Sequence, residues 1–292
     1  MDLTSLQFIL PAFEYLALAI GTILLCRQLY LPGFKPAGRH PGRLAYWPVE
    51  GFELALLVLL VLLVGIIFQA ITVNCFDHGI KAAVDRKGLE MAVYQAAFHS
   101  GGLVAWPTFY LLRRRLFASY STTPLTSAGT PPIRASWALT LRDAVVTFLS
   151  ALPLVTLVSV SWTSLLNLLG LPNERQDLIA TFQNTQSTLV LAGMFFVACV
   201  LVPINEEMLF RRGFYHFLRQ RSGRVVALTL SAGIFGLMHF NLAGFLPLAT
   251  FGVMLALAYE RTGNIRVPII AHGLFNLLNI IVALLDAMSA KP

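Results

Sequence analysis

The sequence predicts an all-α protein, a polytopic transmembrane helix bundle with about eight membrane-spanning helices. Three observations predict it. Of 292 residues, 57% are hydrophobic and only 12% are charged, against about 25% charged in soluble domains. The apolar residues fall in runs of about 20, long enough to cross the hydrocarbon core as a helix. The basic residues gather between alternate runs, as the topology of a membrane bundle requires.

The runs cover roughly 6–26, 52–73, 90–112, 144–169, 187–205, 225–241, 243–259 and 267–285. The sixth and seventh are short, with a tight turn at His239-Phe240-Asn241-Leu242 between them. Lys and Arg are retained on the cytoplasmic side. Segment 27–51 holds Arg27, Lys35, Arg39 and Arg43, and segment 113–142 holds Arg113, Arg114, Arg115, Arg134 and Arg142. Segment 206–224 holds Arg211, Arg212, Arg219, Arg221 and Arg224, and segment 260–266 holds Arg261 and Arg266. The alternate segments hold only Lys81, Arg86, Lys87, Arg175 and Lys291. An eight-span topology with both termini outside the cytoplasm follows. The net charge of +7 is explained by this bias, so no nucleic-acid partner is implied.

Two regions are expected. Residues 1–142 form an N-terminal transmembrane region of three spans plus a cytoplasmic linker, and residues 143–292 form a C-terminal transmembrane region. The polar stretch 118–136 is the linker between them. Segment 27–51 is rich in Pro and Gly and reads as a loop, with Tyr46 and Trp47 suited to the headgroup region. The first run lacks the basic flank of a signal peptide, and the start lacks the glycine for myristoylation. Cys26, Cys75 and Cys199 have no metal-ligand or disulfide spacing and read as buried thiols.

Ionisable residues inside spans are costly and mark functional candidates. Glu14 and Glu53 read as interfacial or bundle-facing residues. His99, beside Ser100, Gly101 and Gly102, reads as a packed, hydrogen-bonded histidine, because small residues allow close helix approach. His40 and His78 fall in loops.

Three groups in the C-terminal third resist such readings: Glu206 and Glu207 with Arg211, Phe235 with His239, and His272 with Asn276. If the fifth helix continues to about Gln220, the chain turns at Arg221-Ser222-Gly223. Glu206 and His239 then lie roughly 25 Å from that turn on neighbouring antiparallel helices, at ~1.5 Å per residue. Glu207 and Arg211, Phe235 and His239, and His272 and Asn276 are each spaced i and i+4, so each pair shares a helix face. Three helices would thus supply two carboxylates, two histidines and an amide at compatible depths.

The ordered set Glu206-Glu207-x-x-x-Arg211, Phe235-x-x-x-His239, His272-x-x-x-Asn276 resembles the CPBP family of intramembrane proteases. That family includes the type II CAAX prenyl endopeptidases and the bacterial Abi and lysostaphin-resistance-like proteins. The resemblance covers about residues 187–285 and implies a CAAX-protease-like intramembrane endopeptidase. It implies that Glu206, helped by His239, activates a water that attacks a peptide carbonyl. His272 and Asn276 would donate to the oxyanion, and Glu207, held by Arg211, would order the site. Burial suits a carboxylate to base chemistry near neutral pH, and dry surroundings strengthen oxyanion donors.

No cofactor is expected, with zinc as the alternative. Glu206, His239 and His272 would then be its ligands, although no HExxH pair is present. The partners expected are the lipid bilayer and a membrane-associated protein or peptide substrate. The expected location is a bacterial inner membrane, with the site near the cytoplasmic side. Two other functions fit the same residues: a non-catalytic binding or immunity protein of the same family, and a proton-coupled transporter. No inverted repeat accompanies the latter.

Overall fold

In a computed structural model, residues 3–30, 44, 46–116, 136–173 and 177–289 are described. Among them the regular structure is helix throughout. The helices are α1 (Leu3–Tyr30), α2 (Gly51–Lys81), α3 (Arg86–Leu116), α4 (Trp137–Leu168), α5 (Asp177–Asn184), α6 (Thr188–Arg221), α7 (Arg224–Leu237), α8 (Leu242–Thr262) and α9 (Arg266–Ser289). Each of the eight expected spans falls on a helix of its own, but the sixth, expected over 225–241, is helical only to Leu237. By length and composition, α2, α4, α6, α8 and α9 can each cross a membrane, and the chain is an integral membrane protein. Gln95, His99 and Ser100 interrupt the apolar run of α3. The linker expected over 118–136 lies, Ser136 excepted, outside the described residues.

Local chemistry sets several boundaries. Glu50 caps α2 in a reciprocal box, its backbone N–H donating to Glu53 Oε2 at 2.8 Å. Ser136 and Ser187 cap α4 and α6 through their hydroxyls. Gly263, with φ 65°, ends α8 in the left-handed conformation that costs glycine little. α6 runs on through the charged motif, and the chain turns at Ser222 and Gly223, where the sequence placed the turn.

α7 has 14 residues, about 21 Å of helix, less than the ~30 Å hydrocarbon core. A helix of that length starting at one membrane face would end inside the core, where backbone polar groups need partners within the protein. The turn after α7 is tight, with Phe240 at φ 48°. Asn241 caps α8 by accepting from the Gly244 N–H at 2.6 Å. Trp162 of α4 donates its indole N–H to the Leu242 carbonyl at 2.8 Å.

α2 packs on α3, α7 on α8, and α4 on α1, α8 and α9. At the α2–α3 crossing a Cβ on Gly101 would meet the Val64 carbonyl oxygen at 2.6 Å, so only glycine permits this approach. The core cluster between α2, α3, α6 and α7 contains Leu57, Trp106, Phe109, Phe210 and Phe235.

Four expectations change. α5 was not among the expected spans. It is short, its Phe182 is buried, and Gln183 donates to the Ala283 carbonyl at 2.8 Å. Trp47 does not face the headgroups. It is buried, with its ring 5.8 Å from that of His216, because Arg113 and Arg221 draw the 48–49 backbone inward by donating to the Pro48 and Val49 carbonyls. His78 lies within α2, which continues to Lys81, rather than in a loop. Cys26 and Cys75 face outward, and Cys199 is half-buried.

Candidate active site

α6 carries Glu206, Glu207 and Arg211, α7 carries Phe235, the turn after it carries His239, and α9 carries His272 and Asn276. The shape of α6 decides how these meet. Two π-helical turns, Val197–Leu201 and Met208–Tyr215, bracket the α-helical segment Val202–Glu207. In the first, the Val202 N–H bonds the Val197 carbonyl five residues back. Continued in that register, Pro203 would serve the Ala198 carbonyl, but proline has no N–H. Asn276 takes the place, its Nδ2 donating to Ala198 O at 2.7 Å. Gly273 lies against the Cys199 carbonyl so closely that a Cβ would collide with it. α9 thus rests on the π turn, and His272 is brought to the carboxylates.

Glu207 is fully buried, with His272 Nδ1 2.9 Å from Oε1 and Arg211 Nε 2.9 Å from Oε2. Glu206 is partly open, its side chain 20% exposed, and its Oε2 lies 3.9 Å from His272 Nε2. His272 therefore stands between the two carboxylates. Arg211 is buried with its guanidinium carbon 4.5 Å from the centre of the Phe235 ring, a cation–π contact that partly replaces lost hydration. The edge-on rings of His239 and His272 lie 5.0 Å and 5.8 Å from Phe235.

Saturation is incomplete. Glu206 Oε2, Glu207 Oε2 and all three guanidinium nitrogens of Arg211 are buried without a well-angled hydrogen bond. Close ion pairs lacking hydrogen bonds are an expensive arrangement, since desolvation is offset only in part. Such sites in a native fold call for an explanation such as a catalytic role.

His239 is arranged differently. Its backbone N–H goes to Gly236 O, which leaves Phe235 O without the usual helical donor. His239 Nδ1 fills that role at 2.8 Å. A ring that donates from Nδ1 presents Nε2 as an acceptor when neutral. Among the described residues His239 forms no ion pair, and the imidazole at ion-pair distance from Glu206 belongs to His272.

A zinc site would need Glu206, His239 and His272 to converge. Among the described residues no three His, Cys, Asp or Glu side chains do so. His272 has both ring nitrogens turned to carboxylates. This donor set does not fit the three-ligand zinc geometry, and no step below is routed through a metal.

The spacing argument missed Asn205. It is buried, its Nδ2 3.2 Å from His99 Nδ1. His99 is buried and hydrogen-bonded, the environment its small neighbours implied. It also missed a second buried cluster around Glu260, because Arg219, Arg224 and Tyr215 stand far from Glu260 in sequence.

Residues 188–278 match the family model described as Type II CAAX prenyl endopeptidase Rce1-like. This segment resembles that family. It begins at α6, contains all six candidate residues and leaves α1–α5 outside. A Bacillus subtilis (strain 168) protein named as a membrane peptidase, YdiL, is 33% identical over 106 residues, which are 35% of this chain and 43% of YdiL. The membrane-embedded CAAX protease MroQ of Staphylococcus aureus (strain USA300) is 34% identical over 120 residues, 37% of this chain and 48% of MroQ. The matched stretches therefore span less than half the length of either relative. No solved structure matches the chain significantly.

Proposed function

We propose that this chain is an intramembrane endopeptidase that hydrolyses a peptide bond of a membrane-associated protein or peptide, with a water activated by Glu206 and without a metal. One observation carries the reading. Two adjacent carboxylates share one buried histidine, with polar atoms left unsaturated, inside the Rce1-like segment.

Each group has a distinct part. Glu206 is the more open carboxylate and takes a proton from water as the oxygen attacks the carbonyl carbon. His239 Nε2 accepts the water's second hydrogen bond and orients it. The oxyanion forms near His272 and Asn276. His272 donates to it from Nε2 while Nδ1 donates to Glu207, so this step uses the ring with both nitrogens protonated. Asn276 has one amide N–H committed to Ala198 and offers the other. Glu206 then passes its proton to the leaving amine as the C–N bond breaks, so protons balance. Arg211 holds Glu207 in place through their ion pair at 2.9 Å.

We orient α6 and α7 in a bacterial cell membrane with their basic ends, where Arg219, Arg221 and Arg224 cluster, towards the cytoplasm. The site then lies about 21 Å of helix away from that face. The test compares membrane proteomes of cells carrying the wild-type chain and Glu206→Gln at equal levels. Cleavage products are expected with the wild type alone. The same products from Glu206→Gln would overturn the proposal.

A further inference from the structure

We infer that His99, on α3 and outside the Rce1-like segment, is a positioning residue of the site, acting through Asn205 on the carboxylate next to it. The inference rests on the proposed endopeptidase reading. Three observations carry it.

The first is placement. Asn205 directly precedes Glu206 in the short α-helical segment between the two π turns. π turns lack the regular i to i−4 ladder, so this segment is held less by its own helix than an ordinary turn is. A side-chain bond from outside the helix therefore has leverage on its rotation.

The second is the contact. His99 and Asn205 are 8% and 4% exposed, and Asn205 Nδ2 lies 3.2 Å from His99 Nδ1. With the amide as donor, Nδ1 is an acceptor and the ring is neutral. In a dry interior such a bond is hard to replace, since neither group can turn to water.

The third is the pair of glycines that makes the contact possible. Gly101 lets α3 lie on α2, and a Cβ on Gly102 would meet the Asn205 amide at 2.6 Å. α3 thus clamps Asn205 by backbone contact on one side and by His99 on the other. Asn205 Oδ1 is buried with no hydrogen-bond partner, so the bond to His99 is the one that sets the amide's orientation. A region with no catalytic motif would in this way help aim Glu206.

The test uses the full chain in liposomes and, as probe, a lipid-anchored, internally quenched peptide chosen from the cleavage products. Loss of one buried hydrogen bond corresponds to about a tenfold rate change at fixed substrate affinity. His99→Leu and Asn205→Ala are each expected to lower kcat by about that factor with KM unchanged, and the double variant to be no worse than either. His99→Asn places an acceptor near the Nδ1 position and is expected to restore kcat to within about twofold. If His99→Leu is recovered poorly, Asn205→Ala carries the test, with kcat normalised to folded protein by size exclusion. Wild-type kcat in folded His99→Leu or Asn205→Ala, beside an inactive Glu206→Gln, overturns the positioning role alone. An active Glu206→Gln overturns the functional reading beneath it.

Discussion

Two buried carboxylate clusters share α6 and differ in how fully they are satisfied. At the basic end, Glu260 Oε1 accepts from Arg219 Nε at 2.9 Å, and Oε2 accepts from Tyr215 Oη at 2.9 Å and Arg224 Nε at 2.8 Å. Both oxygens are used, and two cations surround one anion. In the Rce1-like site, two carboxylates share one arginine and one histidine, and an oxygen of each is left without a hydrogen bond. The first arrangement ties α6, α7 and α8 together at their ends and leaves Glu260 no oxygen for a reactant. The second keeps charge poised and partly exposed. Under the proposed function, saturation separates a structural ion cluster from a reactive one, which burial alone does not.

That contrast can be broken by substitution. Glu206→Gln removes the base and keeps the shape, so turnover is expected to fall by about a thousandfold, with unchanged melting behaviour. Single-turnover cleavage in liposomes checks the rate. Glu260→Ala is expected to do the reverse. Removing one side of a buried ion pair costs about 3–5 kcal/mol, so thermal unfolding in detergent should shift sharply downward. The folded fraction should still cleave at the wild-type rate. A large loss of kcat in folded Glu260→Ala would abolish the distinction between the clusters.

Smaller effects sharpen it. Tyr215→Phe removes one donor to Glu260 and is expected to cost about 1 kcal/mol of stability, again read by thermal unfolding and again without loss of kcat. The smallest expected effect is that of metal removal. Cleavage should persist at the wild-type rate after dialysis against a zinc chelator. Loss of activity, restored by added zinc, would require the site to rearrange around a metal.

Much of this molecule is legible in the chain. The eight runs became helices because membrane crossing depends on local apolar length, which each segment carries alone. The turn at Ser222–Gly223 and the tight turn near Phe240 were visible as polar or glycine-containing breaks. The six candidate residues were visible because costly groups stand out against an apolar background. The bonds among them were not. Spacing paired Glu206 with His239, while the fold sets Glu206 nearest His272 and gives Nδ1 of His239 to a helix-end carbonyl. That outcome depends on the π turns of α6, on Pro203 withholding an N–H, and on Gly273 admitting α9.

The amphipathic α5 escaped notice because its eight residues make no apolar run. Trp47 was misplaced because an aromatic ring beside a loop suits the interface as well as a core. The long-range donors Arg113 and Arg221 decided between them.

By itself, then, the sequence determined the fold class, the helical spans and which ionisable residues stand out inside them. Each of these is written in composition or in spacing within one segment. The tertiary structure alone decided which carboxylate meets which histidine, which polar groups are saturated, and that α3 reaches Asn205. Those are properties of contacts between segments far apart in the chain, fixed by backbone approach and side-chain packing that no local pattern records.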